Sequence, residues 1–161
     1  MGVEKIRSLL ISLISYVVLL WMVMHLAYAS DNTIAIQTKG TSTSMSIDQS
    51  GTSNTATVWC GLSGGAYATH SCSNATMTID QHGTSNTART YSQITNHNDN
   101  VYTINQNGNS NNAYIDLDDD DNVASIVQTG NSNTGIIYMK GDDNAYTITQ
   151  TGSNFYAKMY A

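Results

Sequence analysis

Few side chains in this chain have a type and spacing suited to bond chemistry. The densest group is acidic: Asp116, then Asp118, Asp119, Asp120 and Asp121. A calcium ion needs six to eight converging oxygens. Adjacent aspartates on an extended chain point alternately apart. The run therefore reads as a solvated turn that discourages premature aggregation, with a screening cation as the open alternative, because Asp142 and Asp143 recur one repeat later. His70, His82 and His97 lack metal-ligand spacing and read as surface loop positions. Cys60 and Cys72 are the only cysteines. In an exported chain an even pair suggests a disulfide closing a small loop, the alternative being two free thiols. No pair of carboxylates recurs on one face, so the chain reads as no enzyme, with no cofactor. What does recur is the side-chain amide, whose chemistry is hydrogen bonding in both directions.

Gln49, Gln81, Gln106, Gln128 and Gln150 share one frame. Each has an isoleucine two residues before it (Ile47, Ile79, Ile104, Ile126, Ile148) and a glycine two residues after it (Gly51, Gly83, Gly108, Gly130, Gly152). Asn54, Asn86, Asn111 and Asn133 follow four of the glutamines at position five, each behind a serine. Position seven is small throughout: Ala56, Ala88, Ala113, Gly135 and Ala157. The fifth copy reads as having lost one residue after Gly152, which would put Ser153-Asn154-Phe155 out of register.

These residues need elements to carry them, and the period names the elements. From Asn100 a corner asparagine recurs every 11 residues, at Asn111, Asn122, Asn133 and Asn144. Ile104, Ile115, Ile126, Ile137 and Ile148 stand four residues after each. The unit is thus 22 residues in two halves. Within a half, alternate residues such as Asn111, Ala113, Ile115 and Leu117 share one face, a period of two that signals strand. Self-similarity of this kind predicts an all-β fold, a β-solenoid of about five strand-turn-strand coils. Glycine after the glutamine supplies positive φ, and asparagine tolerates the left-handed turn. Coils stacked about 4.8 Å apart put like over like, so Gln over Gln and Asn over Asn form ladders as in cross-β structures.

The chain opens with Lys5 and Arg7, an apolar run to about Leu26, and Ala27-Tyr28-Ala29. Residues 1–29 therefore read as a secretory signal peptide, an uncleaved anchor being the competing reading. Residues 30–42 are a leader or a degenerate half-coil, and 43–161 the repeat domain. Repeats lie near 43–60, 75–92, 100–121, 122–143 and 144–161, with an insertion at 61–74 and a shorter one near 95–99. Beyond residue 29, Lys39, Arg89, Lys140 and Lys158 face eleven aspartates, a net charge of about −7. With no basic patch to neutralise phosphates, nucleic acid is excluded as a partner. Proline is absent, and no capping helix is visible at either end of the array. Open sheet edges recruit further strands, so the pattern predicts end-to-end polymerisation.

The motif Gln-x-Gly-x-x-Asn-x-Ala, in the copies QSGTSNTA, QHGTSNTA, QNGNSNNA and QTGNSNTG with a degenerate QTGSNFYA, resembles the curlin repeat over residues 43–161. The resemblance implies a subunit of curli, the extracellular amyloid fimbriae of Gram-negative bacteria, serving adhesion, cell aggregation and biofilm matrix. It implies partners: further copies, another curlin subunit, an outer-membrane secretion channel and a periplasmic chaperone. The family repeat often carries a second glutamine eleven residues after the first. Here that place holds Cys60, Ser92, Leu117, Met139 and Ala161, leaving open the major or the nucleating subunit type.

Two other classes fit parts of the pattern. A soluble solenoid could bind ice or carbohydrate. Thr76-Met77-Thr78 and Thr147-Ile148-Thr149 suggest threonine rows, but in different frame positions that would not make one flat row. The tyrosines Tyr102, Tyr114, Tyr138 and Tyr146 would cover strand faces or stack between coils. A β-helical polysaccharide enzyme would need recurring carboxylates on a concave face, and none recur.

Overall fold

The structure is a computed structural model that describes residues 31–38, 42–59, 72–91, 97–117 and 119–160. The predicted signal segment, Cys60, His70, Asp118 and most of the insertion lie outside the described residues. Among the described residues every regular element is a strand. In chain order they are β1 (Thr33–Ile36), β2 (Ser44–Thr52), β3 (Thr55–Val58), β4 (Cys72–Ser73), β5 (Thr76–Thr84), β6 (Thr87–Arg89), β7 (His97–Asn98), β8 (Val101–Asn109), β9 (Val123–Asn131) and β10 (Ala145–Ser153).

The strands stack as a parallel β-solenoid. The first halves of the coils form one sheet in the order β10-β9-β8-β5-β2. Its register puts Ile47 on Ile79, Ile104, Ile126 and Ile148, and Gln49 on Gln81, Gln106, Gln128 and Gln150. The second halves form the facing row, β1-β3-β6. The row continues through bridges from Thr87 to Asn112, Thr134 and Tyr156. Bonds such as Ile115 N to Arg89 O (3.3 Å) and Ile137 N to Tyr114 O (3.1 Å) carry it past those bridges.

Alternation decides the faces. Residues of one parity point between the two rows and make the core, including Met77, Ile79, Tyr102, Ile104, Ile126 and Ile148 from one side and Ala56, Val58, Ala113, Ile115, Leu117, Ile137 and Met139 from the other. Ile47, in the first full coil, is only partly buried because no full coil covers it. Leu117 and Met139, eleven residues after Gln106 and Gln128, are buried at 0% and 1% exposure. This corner of the core is apolar where the other is amide-lined.

The stacking is close enough to forbid side chains at one position. A Cβ on Gly51, Gly83, Gly108 or Gly130 would overlap the carbonyl oxygen of the glycine in the next coil, and all four have positive φ. The left-handed residue of the following turn is the serine before the asparagine, not the asparagine: Ser53, Ser85, Ser110 and Ser132 all have φ near 56–57°. The asparagine is thereby turned inward, where its amide has work other than local turn bonding.

The fifth coil keeps full register. Ser153 pairs with Asn131 and Tyr156 bridges Thr134. Asn154 takes the left-handed place of the serine, φ 62°. No residue has been lost, and Phe155 occupies the ladder position of Asn133. The register is held by a bond that needs only the backbone N–H of residue 155: Phe155 N donates to the Asn133 side-chain Oδ1 (3.0 Å), as Asn133 N donates to Asn111 Oδ1 (3.0 Å).

Candidate functional site: amide ladders and open ends

The five glutamines point into the space between the rows. The first four donate from Nε2 to the Oε1 of the next coil: Gln49 to Gln81 at 2.6 Å, Gln81 to Gln106 at 2.8 Å, Gln106 to Gln128 at 2.9 Å, and Gln128 to Gln150 at 2.8 Å. Each Nε2 also crosses the core to a backbone carbonyl of the facing row: Thr33, Thr55, Thr87, Asn112 and Thr134. The last four of those carbonyls immediately precede small residues of the frame, Ala56, Ala88, Ala113 and Gly135. A Cβ on Gly135 would meet Ile126 Cγ2 at 3.0 Å, with Gln128 Nε2 at 3.4 Å, so the position is tightly packed against the core. One amide thus ties its coil both to the next coil and to the opposite sheet. A buried amide deprived of such partners costs about 1–3 kcal/mol.

The asparagines form a second ladder at the corner. Asn54 Nδ2 donates to Gly83 O (3.0 Å), Asn86 to Gly108 O (2.8 Å), Asn111 to Gly130 O (2.8 Å) and Asn133 to Gly152 O (2.8 Å). Each Oδ1 accepts the backbone N–H of the next ladder residue. The ladder starts one residue earlier than the repeat motif shows. Asn32 Oδ1 accepts from Asn54 N (2.9 Å) and its Nδ2 reaches Gly51 O (3.3 Å). Asn32 stands outside any recognisable copy of the frame, so only the spacing of 22 residues to Asn54 pointed to it. A third ladder lines the opposite corner, where Asn122 N donates to Asn100 Oδ1 (2.8 Å) and Asn144 N to Asn122 Oδ1 (3.0 Å).

The acidic residues gather beside that third ladder. Asp99, Asp121 and Asp143 hold the same left-handed corner position in successive coils, with φ of 56–57°. Desolvation, and then the carboxylates of Asp99, Asp143, Asp120 and Asp142, hold the Asp121 carboxyl above the ordinary carboxylate range. Backbone donors satisfy some of these oxygens: Asn98 N to Asp120 Oδ1 (2.7 Å), Asp120 N to Asp142 Oδ1 (3.1 Å) and Gly141 N to Asp119 Oδ2 (3.1 Å). No group of His, Cys, Asp or Glu among the described residues converges as a metal site. His82 sits on strand β5 rather than in a loop, against Asp80 (2.7 Å) and Ser50 Oγ. Cys72 is disulfide-bonded and buried.

On the outer face of the second row an aromatic file runs along the stack. Trp59 and Tyr91 stack at 6.1 Å, Tyr91–Tyr114 and Tyr114–Tyr138 meet edge to face at 5.2 and 5.5 Å, and Tyr138–Tyr160 lie parallel at 4.9 Å. Tyr102 instead faces the core. Threonines share a file on the opposite sheet more than the frame suggested: Ser46, Thr78, Thr103, Ser125 and Thr147 align. The neighbouring files contain Val101, Val123 and Ala145 or Asp48, Asp80 and Val127, so the hydroxyl row is a single one.

Among the described residues no strand covers either end of the stack. At one end lie β1 and β2, where the buried Gln49 Oε1 has no donor. At the other lie β10 and residues 156–160. Ile34, Ile36, Phe155, Tyr156 and Tyr160, the largest exposed apolar side chains apart from Val123, cluster at these two ends.

No curated protein and no solved structure matches the chain. The family model of the curlin associated repeat matches residues 120–152. That stretch, which is similar to the curlin associated repeat, holds the Gln128 and Gln150 rungs and the Asn122 and Asn133 corners, and the other coils repeat its glutamine and asparagine bonds.

Proposed function

We propose that the protein is a structural subunit of an extracellular curli-type amyloid fibre on a Gram-negative bacterium, exported behind residues 1–29 and not an enzyme. The observation that supports this most directly is the unbroken glutamine ladder with a free acceptor at Gln49 and a free donor at Gln150. A ladder of this kind gains one bond for every coil added. Adhesion, cell aggregation and biofilm matrix are the roles such a fibre serves. Another curlin subunit, a secretion channel and a periplasmic chaperone are the partners, and the Cys60–Cys72 disulfide closes the insertion. The subunit is of the major or the nucleating type.

The test is a thioflavin-T time course on the purified chain, with and without preformed seeds. Growth with a lag that seeds abolish, slowed when Gln106 and Gln128 are both changed to Ala, is the expected result. A monomeric, dye-silent, β-rich solution would overturn it.

A further inference from the structure

Among the described residues the two sides of the solenoid are unequal in number. The glutamine-bearing sheet has five strands, β2, β5, β8, β9 and β10. The facing row has six rungs, beginning at Thr33, Thr55, Thr87, Asn112, Thr134 and Tyr156. The extra rung is β1. It pairs with β3 along one edge, Thr33 on Thr55 through Ile36 on Val58, and all four of its residues are exposed.

The inequality has a consequence for end-to-end stacking. If β2 of one copy adds to β10 of another, the next rung of the facing row is claimed twice. Residues 156–160 of the first copy and β1 of the second both belong against β3 of the second. If both stay, one strand position in the glutamine-bearing sheet is left empty and β10 remains unpaired over its nine residues. If β1 leaves, four residues of pairing are exchanged for those of 156–160 and the nine-residue β10–β2 ladder is gained. The equilibrium therefore favours release.

We propose that β1 with Asn32 is a displaceable plug: it fills the rung that residues Phe155–Tyr160 of a second copy of this chain occupy when two copies join. The proposal rests on the fibre reading above. In the joined state Gln150 Nε2 of one copy donates to Gln49 Oε1 of the next, the acceptor that is buried and unsatisfied in the single copy. Tyr156 O takes over from Thr33 O as the acceptor for Gln49 Nε2, which bonds Thr33 at 3.4 Å in the single copy.

The plug is better matched to its corner than the strand that replaces it. Asn32 clamps Gly51 O and accepts from Asn54 N, as every ladder asparagine does for its neighbour. The incoming copy brings Phe155 to that place, which has no amide. Its ring also lies over Gly152, 2.7 Å from where a Cβ would stand, on ground that the next coil's glycine carbonyl occupies elsewhere in the stack. It forms a wall of the recess at this end, with Thr149, Gln150, Thr151, Tyr156 and Ala157. Joining must turn this ring aside and release Asn32, so the plug slows growth without preventing it.

Three variants of the full chain, added as monomer to seeds of the unaltered chain, test this. Growth is limited by the fraction of chains with β1 released, so loosening the plug with Asn32→Ala and Ile34→Asp is expected to speed elongation about fivefold. Locking it with Ala35→Cys and Thr57→Cys, whose Cα atoms are register partners, is expected to slow elongation about tenfold or more until reductant is added, measured against the unaltered chain in the same reductant. Phe155→Asn, which restores the clamp and removes the ring, is expected to speed it about threefold. The proposal is overturned if the oxidised, locked chain extends seeds at the unaltered rate, or if neither loosening the plug nor Phe155→Asn changes elongation; the fibre reading would survive that result. If the unaltered chain grows no fibres, both fall together.

Discussion

The two corners of each coil apply the same geometry to opposite chemistry. At the Gln-Gly-Ser-Asn corner, identical amides stack: each inner glutamine donates to one neighbouring glutamine and accepts from the other, and each asparagine donates to a glycine carbonyl and accepts a backbone N–H. At the other corner, beside the asparagine ladder, Asp99, Asp121 and Asp143 hold successive left-handed positions, and the neighbouring carboxylates raise the proton affinity of Asp121. An amide is its own complement, whereas a carboxylate only accepts and repels its copy. Parallel in-register stacking therefore rewards a repeated residue only when that residue can bond to itself. The acidic corner is tolerated because Asp99, Asp121 and Asp143 face water, and because backbone N–H groups of Asn98, Asp120 and Gly141 donate to the adjoining carboxylates of Asp120, Asp142 and Asp119.

The largest effect should come from closing the space between coils at the amide corner. Gly108→Ala would drive a methyl group into Gly130 O at a positive φ, and should cost about 4 kcal/mol or more, read as the urea midpoint of the soluble chain. Gln106→Ala leaves Gln81 Nε2 without its acceptor and Gln128 Oε1 without its donor, an expected loss of about 3 kcal/mol by the same measurement. Gln106→Glu turns one corner into the other. Its buried carboxyl has a folded pKa raised above the unfolded value, so the variant should gain stability as pH falls through the folded value, while the unaltered Gln106 position has no such response.

Asp121→Asn should act in the opposite sense and less strongly. The raised Asp121 pKa means that the charged corner opposes folding at neutral pH and that this opposition fades as pH falls through the folded value. Replacing the carboxyl should raise neutral-pH stability and flatten the acid side of the pH profile. Added salt should narrow the gap between the two chains. The smallest change is Tyr114→Phe. Burial first, then the Asp116 carboxylate that its hydroxyl meets at 3.0 Å, keeps the Tyr114 phenol protonated well above the ordinary tyrosine range. Its contribution is present below the unfolded pKa and is lost as pH rises through the folded value, so the variant should unfold less steeply in alkali.

Much of this architecture was legible because a repeat carries its own register. A period of 22 residues in two halves puts Ile over Ile and Gln over Gln, and alternation by two then assigns the inward face without further information. The glycine after each glutamine was legible for the same reason, although as a turn residue. Its closer constraint, the carbonyl of the next coil, exists only when coils stack.

Tertiary structure decided the points where residue likeness misleads. Phe155 does not resemble asparagine, so the fifth copy looked one residue short, yet its backbone N–H meets Asn133 Oδ1 as every ladder residue meets its predecessor. Asn32 lies in no visible repeat, yet it makes the first rung. The aromatic file draws Tyr91, Tyr138 and Tyr160 from one frame position and Tyr114 from another, two residues earlier. The sequence by itself determined which residues lie over which, because register is periodic. It did not determine what happens where the period stops, because the ends are governed by backbone bonds and by neighbours that are far away along the chain.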